Sequence, residues 1–167
     1  MADFLPAFER MIQNEGGYVL HNVPGDRGGM TYAGIARNMN PDWGGWRMID
    51  NGDQVPAHVV REFYQARFWD RMRGHEITSQ VIAQTIFDFY VNAGGAAMKL
   101  AQLVVGATPD GVFGPRTLQA INACDPDKFV MAYALAKIAR YRDIVTRDRT
   151  QAKFLLGWIN RTLKDVS

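Results

Sequence analysis

Residues 3–31 read DFLPAFERMIQNEGGYVLHNVPGDRGGMT, and within them the chain changes from one kind of structure to another. Phe4, Leu5, Phe8, Met11 and Ile12 recur at the 3.6-residue period of an amphipathic helix, with Asp3 placed to cap its start. Gly16-Gly17 predicts the end of that helix at Glu15, because glycine takes the left-handed conformation that closes a helix C-terminus. From Gly16 to about Met30 the pattern turns to glycines, a proline and short alternation (Tyr18, Leu20, Val23). It predicts a small β-hairpin or irregular loop near residues 16–30. Thr31 is then expected to open a short helical stretch through Met39.

Outward from this stretch the chain reads as helices. Residues 40–52 are turn-rich and carry Trp43 and Trp46. Asp53 is a candidate cap for a helix to about Arg73, with Val59, Val60, Phe63, Tyr64 and Phe68 as its buried stripe. Ser79 opens a strongly apolar helix through Val91, expected at the centre of the core. Gly94-Gly95 separates it from a short helix, 96–105. A tight loop over 106–115 leads to a helix over 116–123. Asp125-Pro126 then pairs a cap with a first-turn proline, starting a long helix to about Thr146. Residues 154–163 form the last one. The fold class is mostly α, with one small β or irregular excursion.

The composition is that of a globular chain: 167 residues, 47% hydrophobic and 22% charged. No apolar run reaches the roughly 18–20 residues of a membrane span. The first residues lack the basic and apolar regions of a secretory signal. Cys124 is the single cysteine, so no internal disulfide exists. Synthesis and folding in a cytoplasm are expected. The net charge of +2 is unevenly spread: −3 over residues 1–53, zero over 54–136 and +5 over 137–167. The basic end suits either a polyanionic partner or a solvated helix face.

Glu15 resists a purely structural explanation. A helix C-terminus carries about half a negative charge, so a basic residue is preferred there. The two glycines let the chain turn and leave the carboxyl facing what the loop encloses. The helix end and partial burial both favour the protonated form, which a general acid needs. A surface glutamate tolerating its position is the alternative. Asp26, in a Pro-Gly-Asp turn, and Thr31, where regular structure resumes, complete a set suited to acetal hydrolysis. One carboxyl protonates the leaving oxygen, while the second carboxylate and a hydroxyl hold the attacking water.

These residues also carry a resemblance. Glu15-Gly16-Gly17-Tyr18, Asp26-Arg27-Gly28-Gly29-Met30-Thr31 and Gly34-Ile35 resemble the N-terminal signature of glycoside hydrolase family 108, small N-acetylmuramidases of phage endolysins and bacterial secretion loci. The resemblance implies a lysozyme-like, two-lobed helical fold without cofactor or metal. It implies Glu15 as proton donor, Asp26 as water-orienting base and Thr31 as supporting hydroxyl, with inversion at the anomeric carbon. Met30 departs from the family, which more often has a small residue or proline there. The implied partner is the glycan strand of peptidoglycan, cut between N-acetylmuramic acid and N-acetylglucosamine by a monomer. Such an enzyme reaches the wall through a holin-type pore or a dedicated exporter.

The second half agrees. Residues 88–94 (DFYVNAG) and 110–118 (DGVFGPRTL) resemble the predicted peptidoglycan-binding region that follows the catalytic motif in this family. The resemblance divides the chain into a catalytic region, 1–92, and a helical region, 93–167, as parts of one fold. Asp110-Gly111 and Gly114-Pro115 read first as turn chemistry. Asp88 and Asn92, four apart on an apolar helix, share a face and need partners. They either tie the core to the active-site loop or line the glycan groove, and Asn92 is the candidate substrate contact. Tyr32 is the candidate groove wall, whereas Trp69 reads as core. His21, His58 and His75 lack metal-ligand spacing, and no phosphate loop or nucleic-acid-binding pattern is present. A lytic transglycosylase and a non-catalytic wall-binding protein are the competing readings.

Overall fold

The computed structural model of the chain describes residues 1–22 and 28–166. Its contacts group them into two units, Asp3–Arg71 and Met72–Ser167 with Met1–Ala2. Among the described residues there are eight α-helices and one small antiparallel sheet.

In the first unit, α1 (Phe4–Asn14) buries Ala7, Phe8, Met11 and Ile12, the stripe its periodicity predicts. It closes in a Schellman motif. Gly17 N–H donates to Ile12 C=O (2.9 Å) and Gly16 N–H to Gln13 C=O (3.2 Å), with Gly16 at φ +86°. Glu15 is the residue at the cap. The sheet has strand order β1 (Leu20–His21), β2 (Thr31–Tyr32), β3 (Ile35–Ala36).

The helix expected over residues 31–39 is therefore not formed. Tyr32 faces Ile35 across a two-residue turn, Ala33-Gly34. Both turn residues have positive φ, +50° and +79°, as a type I′ hairpin requires. A helix cannot pass through two successive left-handed residues. The ladder continues beyond the strands through Arg37 N–H to Met30 C=O (2.8 Å) and Asn38 N–H to Gly28 C=O (3.0 Å).

The long helix expected over residues 53–73 is also shorter than its pattern. Pro56 is extended (ψ 144°), and α3 starts after it, over Ala57–Tyr64. A π-helical turn, Gln65–Trp69, extends it, closed by Asp70 N–H donating to Gln65 C=O (2.9 Å). Between β3 and α3, the turn-rich segment holds one short helix, α2 (Gly45–Asp50). Trp69 is 1% exposed and packs on Phe4, at 5.7 Å between ring centroids.

The second unit is a helical bundle around α4 (Gln80–Ala93), which packs on α5 (Gly95–Val104) and α7 (Pro126–Arg147). Ser79 caps α4 by accepting from Ile82 N–H, and Asp125 caps α7 by accepting from Lys128 N–H. Ile82, Ala83, Ile86 and Phe87 are all buried, the central position their sequence predicts. Tyr133 on α7 donates its hydroxyl to Ala97 C=O (2.9 Å). The 106–114 loop wraps the buried Gln102. Its amide nitrogen donates to Asp110 Oδ1 (2.7 Å) and Val112 C=O (2.9 Å), and its oxygen accepts from Gly111 N–H (2.8 Å). Turn chemistry thus accounts for the Asp110-Gly111 motif. α6 (Pro115–Asn122) follows it, and α8 (Ala152–Leu163) packs on α7. No helix among the described residues is long and apolar enough to cross a membrane.

Candidate active site

Three elements of the first unit meet at Glu15: the end of α1, the β2–β3 turn and α3. The half-buried Glu15 side chain lies against the turn, and Gly34 is what makes room for it. A Cβ on Gly34 would stand 3.3 Å from Glu15 Cγ, 3.4 Å from its Oε2 and 2.6 Å from Tyr64 Oη. Only a residue without a side chain, free to hold φ +79°, fits between them.

Tyr64 is 1% exposed, and its hydroxyl donates to Ala33 C=O (2.8 Å). Burial, reinforced by the negative charge of Glu15, pushes the phenol well above its ordinary pKa. The phenol therefore keeps its proton and holds the Ala33-Gly34 turn, whose Ala33 occupies a left-handed conformation at some cost in strain. Through this bond α3 positions the turn that the carboxyl rests on.

Thr31 and Tyr32 form β2, immediately before the turn. Thr31 is half-buried and pairs with His21 and Ala36, and its hydroxyl donates to Gly29 C=O (3.4 Å). Tyr32 is half-buried and lies nearly parallel to Trp43 (6.2 Å, 23°). From there an aromatic row runs through Phe63 (6.1 Å from Trp43) to Tyr64 (5.3 Å from Phe63). Tyr32 also borders a shallow cleft of about 410 Å³ together with Leu20, Ile49 and Val55. The indole of Trp43 covers Gly45, where a Cβ would come within 2.3 Å of the ring. Trp46, the other aromatic residue of the turn-rich segment, is 2% exposed and donates its Nε1–H to Asn40 C=O (2.9 Å). It is core, not a platform for ligand.

Asp26 lies outside the described residues. Asn92 belongs to the second unit, on α4. Its amide nitrogen donates to Asp88 C=O (2.7 Å), and its oxygen accepts from Arg161 Nη1 (3.1 Å). Arg161 also grips the Asp88 carboxylate through Nε (3.1 Å) and Nη2 (2.9 Å). The shared face of Asp88 and Asn92 thus finds its partner on α8.

Two residues of the site were not legible in the sequence by role. Tyr64 reads there as one more apolar position of a helix stripe. Gly34 reads as part of a motif without a stated duty. A signal for the turn was present: Thr31-Tyr32 and Ile35-Ala36 flank a two-residue Ala-Gly step, a hairpin pattern. Gly34→Ala is expected to destabilise the chain by about 1–3 kcal/mol, through backbone strain and the clash with Tyr64. It should also displace Glu15 and depress activity at temperatures where the variant is fully folded. Thermal melting and an activity assay check this, and a parent-like melt with parent-like activity would contradict the packing of Glu15 and Tyr64 around Gly34.

The family models that match the chain divide it at another place than its two compact units. Residues 8–94 match the family model described as Glycosyl hydrolase 108, and residues 96–163 match the one described as Predicted Peptidoglycan domain. The first match includes α4, which packs in the second unit. No curated protein matches the chain. Among solved structures, the structure of Brucella abortus SagA is similar, with a TM-score of 0.73 and 24% sequence identity. The match covers 98% of this chain and 91% of that one, a likeness of fold.

Proposed function

We infer that this chain, which belongs to the glycosyl hydrolase 108 family and is a peptidoglycan hydrolase, acts as an N-acetylmuramidase. It cleaves the β-1,4 bond between N-acetylmuramic acid and N-acetylglucosamine. The observation that carries this reading is the Glu15 carboxyl, held at the negative end of α1 against the Gly34 turn and the Tyr64 phenol. Glu15 gives its proton to the glycosidic oxygen as the bond from the anomeric carbon to that oxygen breaks. A water oxygen bonds to the anomeric carbon from the opposite face, and its proton passes to Asp26. Thr31 helps to orient that water. Attack from the opposite face inverts the configuration. Asp26 enters this scheme from the sequence motif alone. Tyr32 serves as a wall for the sugar rings, whereas the Asn92 amide is taken up by Asp88 and Arg161.

The same reading places the enzyme on the wall side of the membrane, in cell lysis or in wall remodelling for secretion. It arrives there through a holin-type pore or a dedicated exporter.

Digestion of purified peptidoglycan tests the reaction. Mass spectrometry is expected to show fragments that have gained water and end in reducing muramic acid, and proton NMR to show the α-anomer first. Anhydro-muramyl ends would overturn hydrolysis in favour of a lytic transglycosylase. Reducing N-acetylglucosamine ends would overturn the assigned bond.

A further inference from the structure

The second unit contains a cavity of about 390 Å³ lined by residues of α4, α7 and α8 and by Asp165. Most of its charged groups are already matched. Lys137 pairs with Asp165 (2.7 Å), and Arg161 with Asp88 and Asn92. Arg140 is different. It lines the same cavity one helical turn beyond Lys137, is half-buried, and has no hydrogen-bond or ion-pair partner among the described residues. A half-buried guanidinium with open donors is a receptor for a planar anion such as a carboxylate. Elsewhere on the same lining, Trp158 stacks on Tyr141 (5.2 Å, 30°), with Phe154 6.0 Å from it, and gives the cavity an aromatic wall.

Gly157 supplies an independent argument. It lies in the interior of α8, where glycine is the poorest choice after proline. Its backbone does not need glycine, since its φ lies outside the left-handed range. Its packing does not need glycine either, because a Cβ there would meet nothing within 4 Å. It is exposed at the solvent-open side of the cavity that it lines, where a long side chain would stand across the opening. The fold gains nothing from this glycine, whereas a ligand gains room.

We propose that this cavity is a ligand site for a carboxylate-bearing N-acetyl amino sugar of the wall, with the carboxylate on Arg140 and the sugar ring against Trp158. The choice of a wall sugar rests on the peptidoglycan reading above. The carboxylate has two possible sources, the lactyl acid of an unsubstituted muramic acid and the acidic stem peptide.

The test uses the full chain carrying Glu15→Gln, so that no ligand is consumed. The Trp158 indole resonance is followed by NMR during titration with N-acetylmuramic acid, N-acetylmuramyl dipeptide and neutral N-acetylglucosamine. One or both acids should shift it saturably, at least about tenfold more tightly than the neutral sugar. The tighter of the two identifies the source of the carboxylate. Arg140→Gln should weaken that binding at least about tenfold, and Gly157→Leu should abolish it while melting no lower than its parent. No saturable shift with either acid, equal binding of the neutral sugar, or parent-like binding by both variants would each overturn the site. Wall digestion by the unmutated chain is read separately. Digestion without binding removes only this site, and binding without digestion removes only the muramidase reading.

Discussion

Glu15→Gln is expected to slow wall lysis by at least about 100-fold, the usual range for loss of a general acid, while the melting temperature holds or rises slightly. Glutamine keeps the shape and most of the hydrogen bonding of glutamate but has no proton to give to a leaving oxygen. The two readouts should move apart because Glu15 sits at the C-terminal cap of α1, where a negative charge faces the negative end of the helix. Removing that charge relieves about 0.3–1 kcal/mol of unfavourable interaction at most. A residue that stability disfavours and activity requires is one retained for its chemistry. Turbidity loss of a peptidoglycan suspension and a thermal melt together measure both quantities. Lysis at the parent rate would remove Glu15 from the mechanism.

Lys137→Met is expected to destabilise the chain by about 3–5 kcal/mol, a larger loss than Gly34→Ala should cause. The Lys137 and Asp165 side chains are 3% and 6% exposed and meet at 2.7 Å. The ammonium also lies 4.9 Å from the ring centre of Phe89 and 4.8 Å from that of Tyr133. Methionine fills much the same volume but removes the ammonium that meets the buried Asp165 carboxylate at 2.7 Å. Burial lowers the Lys137 pKa by more than Asp165 raises it. The unfolded chain therefore holds this proton to higher pH than the folded one. Stability linked to Lys137 rises as pH climbs from its lowered folded value toward the ordinary 10.5 and is lost as pH falls back through it. Since desolvation outweighs attraction, Lys137→Met with Asp165→Leu should recover most of the loss. Urea denaturation at neutral pH measures both variants. A single variant within about 1 kcal/mol of its parent would show the pair to be dispensable.

The candidate site was legible to the extent that its parts are local. The end of α1 follows from Gly16-Gly17, and the position of Glu15 at that end follows with it. Ser79 and Asp125-Pro126 mark helix starts because a cap acts within three residues of itself. The errors arose where a residue's conformation depends on a distant partner. Residues 31–39 contain nothing that forbids a helix except the Ala33-Gly34 turn. That turn is held by a hydroxyl 31 positions away, on Tyr64. Asp53 is a good cap by type, yet Pro56 keeps the chain extended and moves the helix start past it. Arg161 meets Asp88 across 73 positions, a pairing no local pattern announces.

By itself, then, the sequence determined a mostly helical chain, the ends of its main helices, the family signature and the unusual placement of one carboxyl. All of these depend on interactions within a turn or two of backbone. Only the tertiary structure decided that Gly34 is the space Glu15 rests in and that Tyr64 clamps the turn. It alone decided that Asp88 and Asn92 are matched by Arg161, while Arg140 lines the same cavity without such a match. Those facts come from side chains of distant segments competing for the same volume and the same hydrogen-bonding groups, which no spacing along the chain encodes.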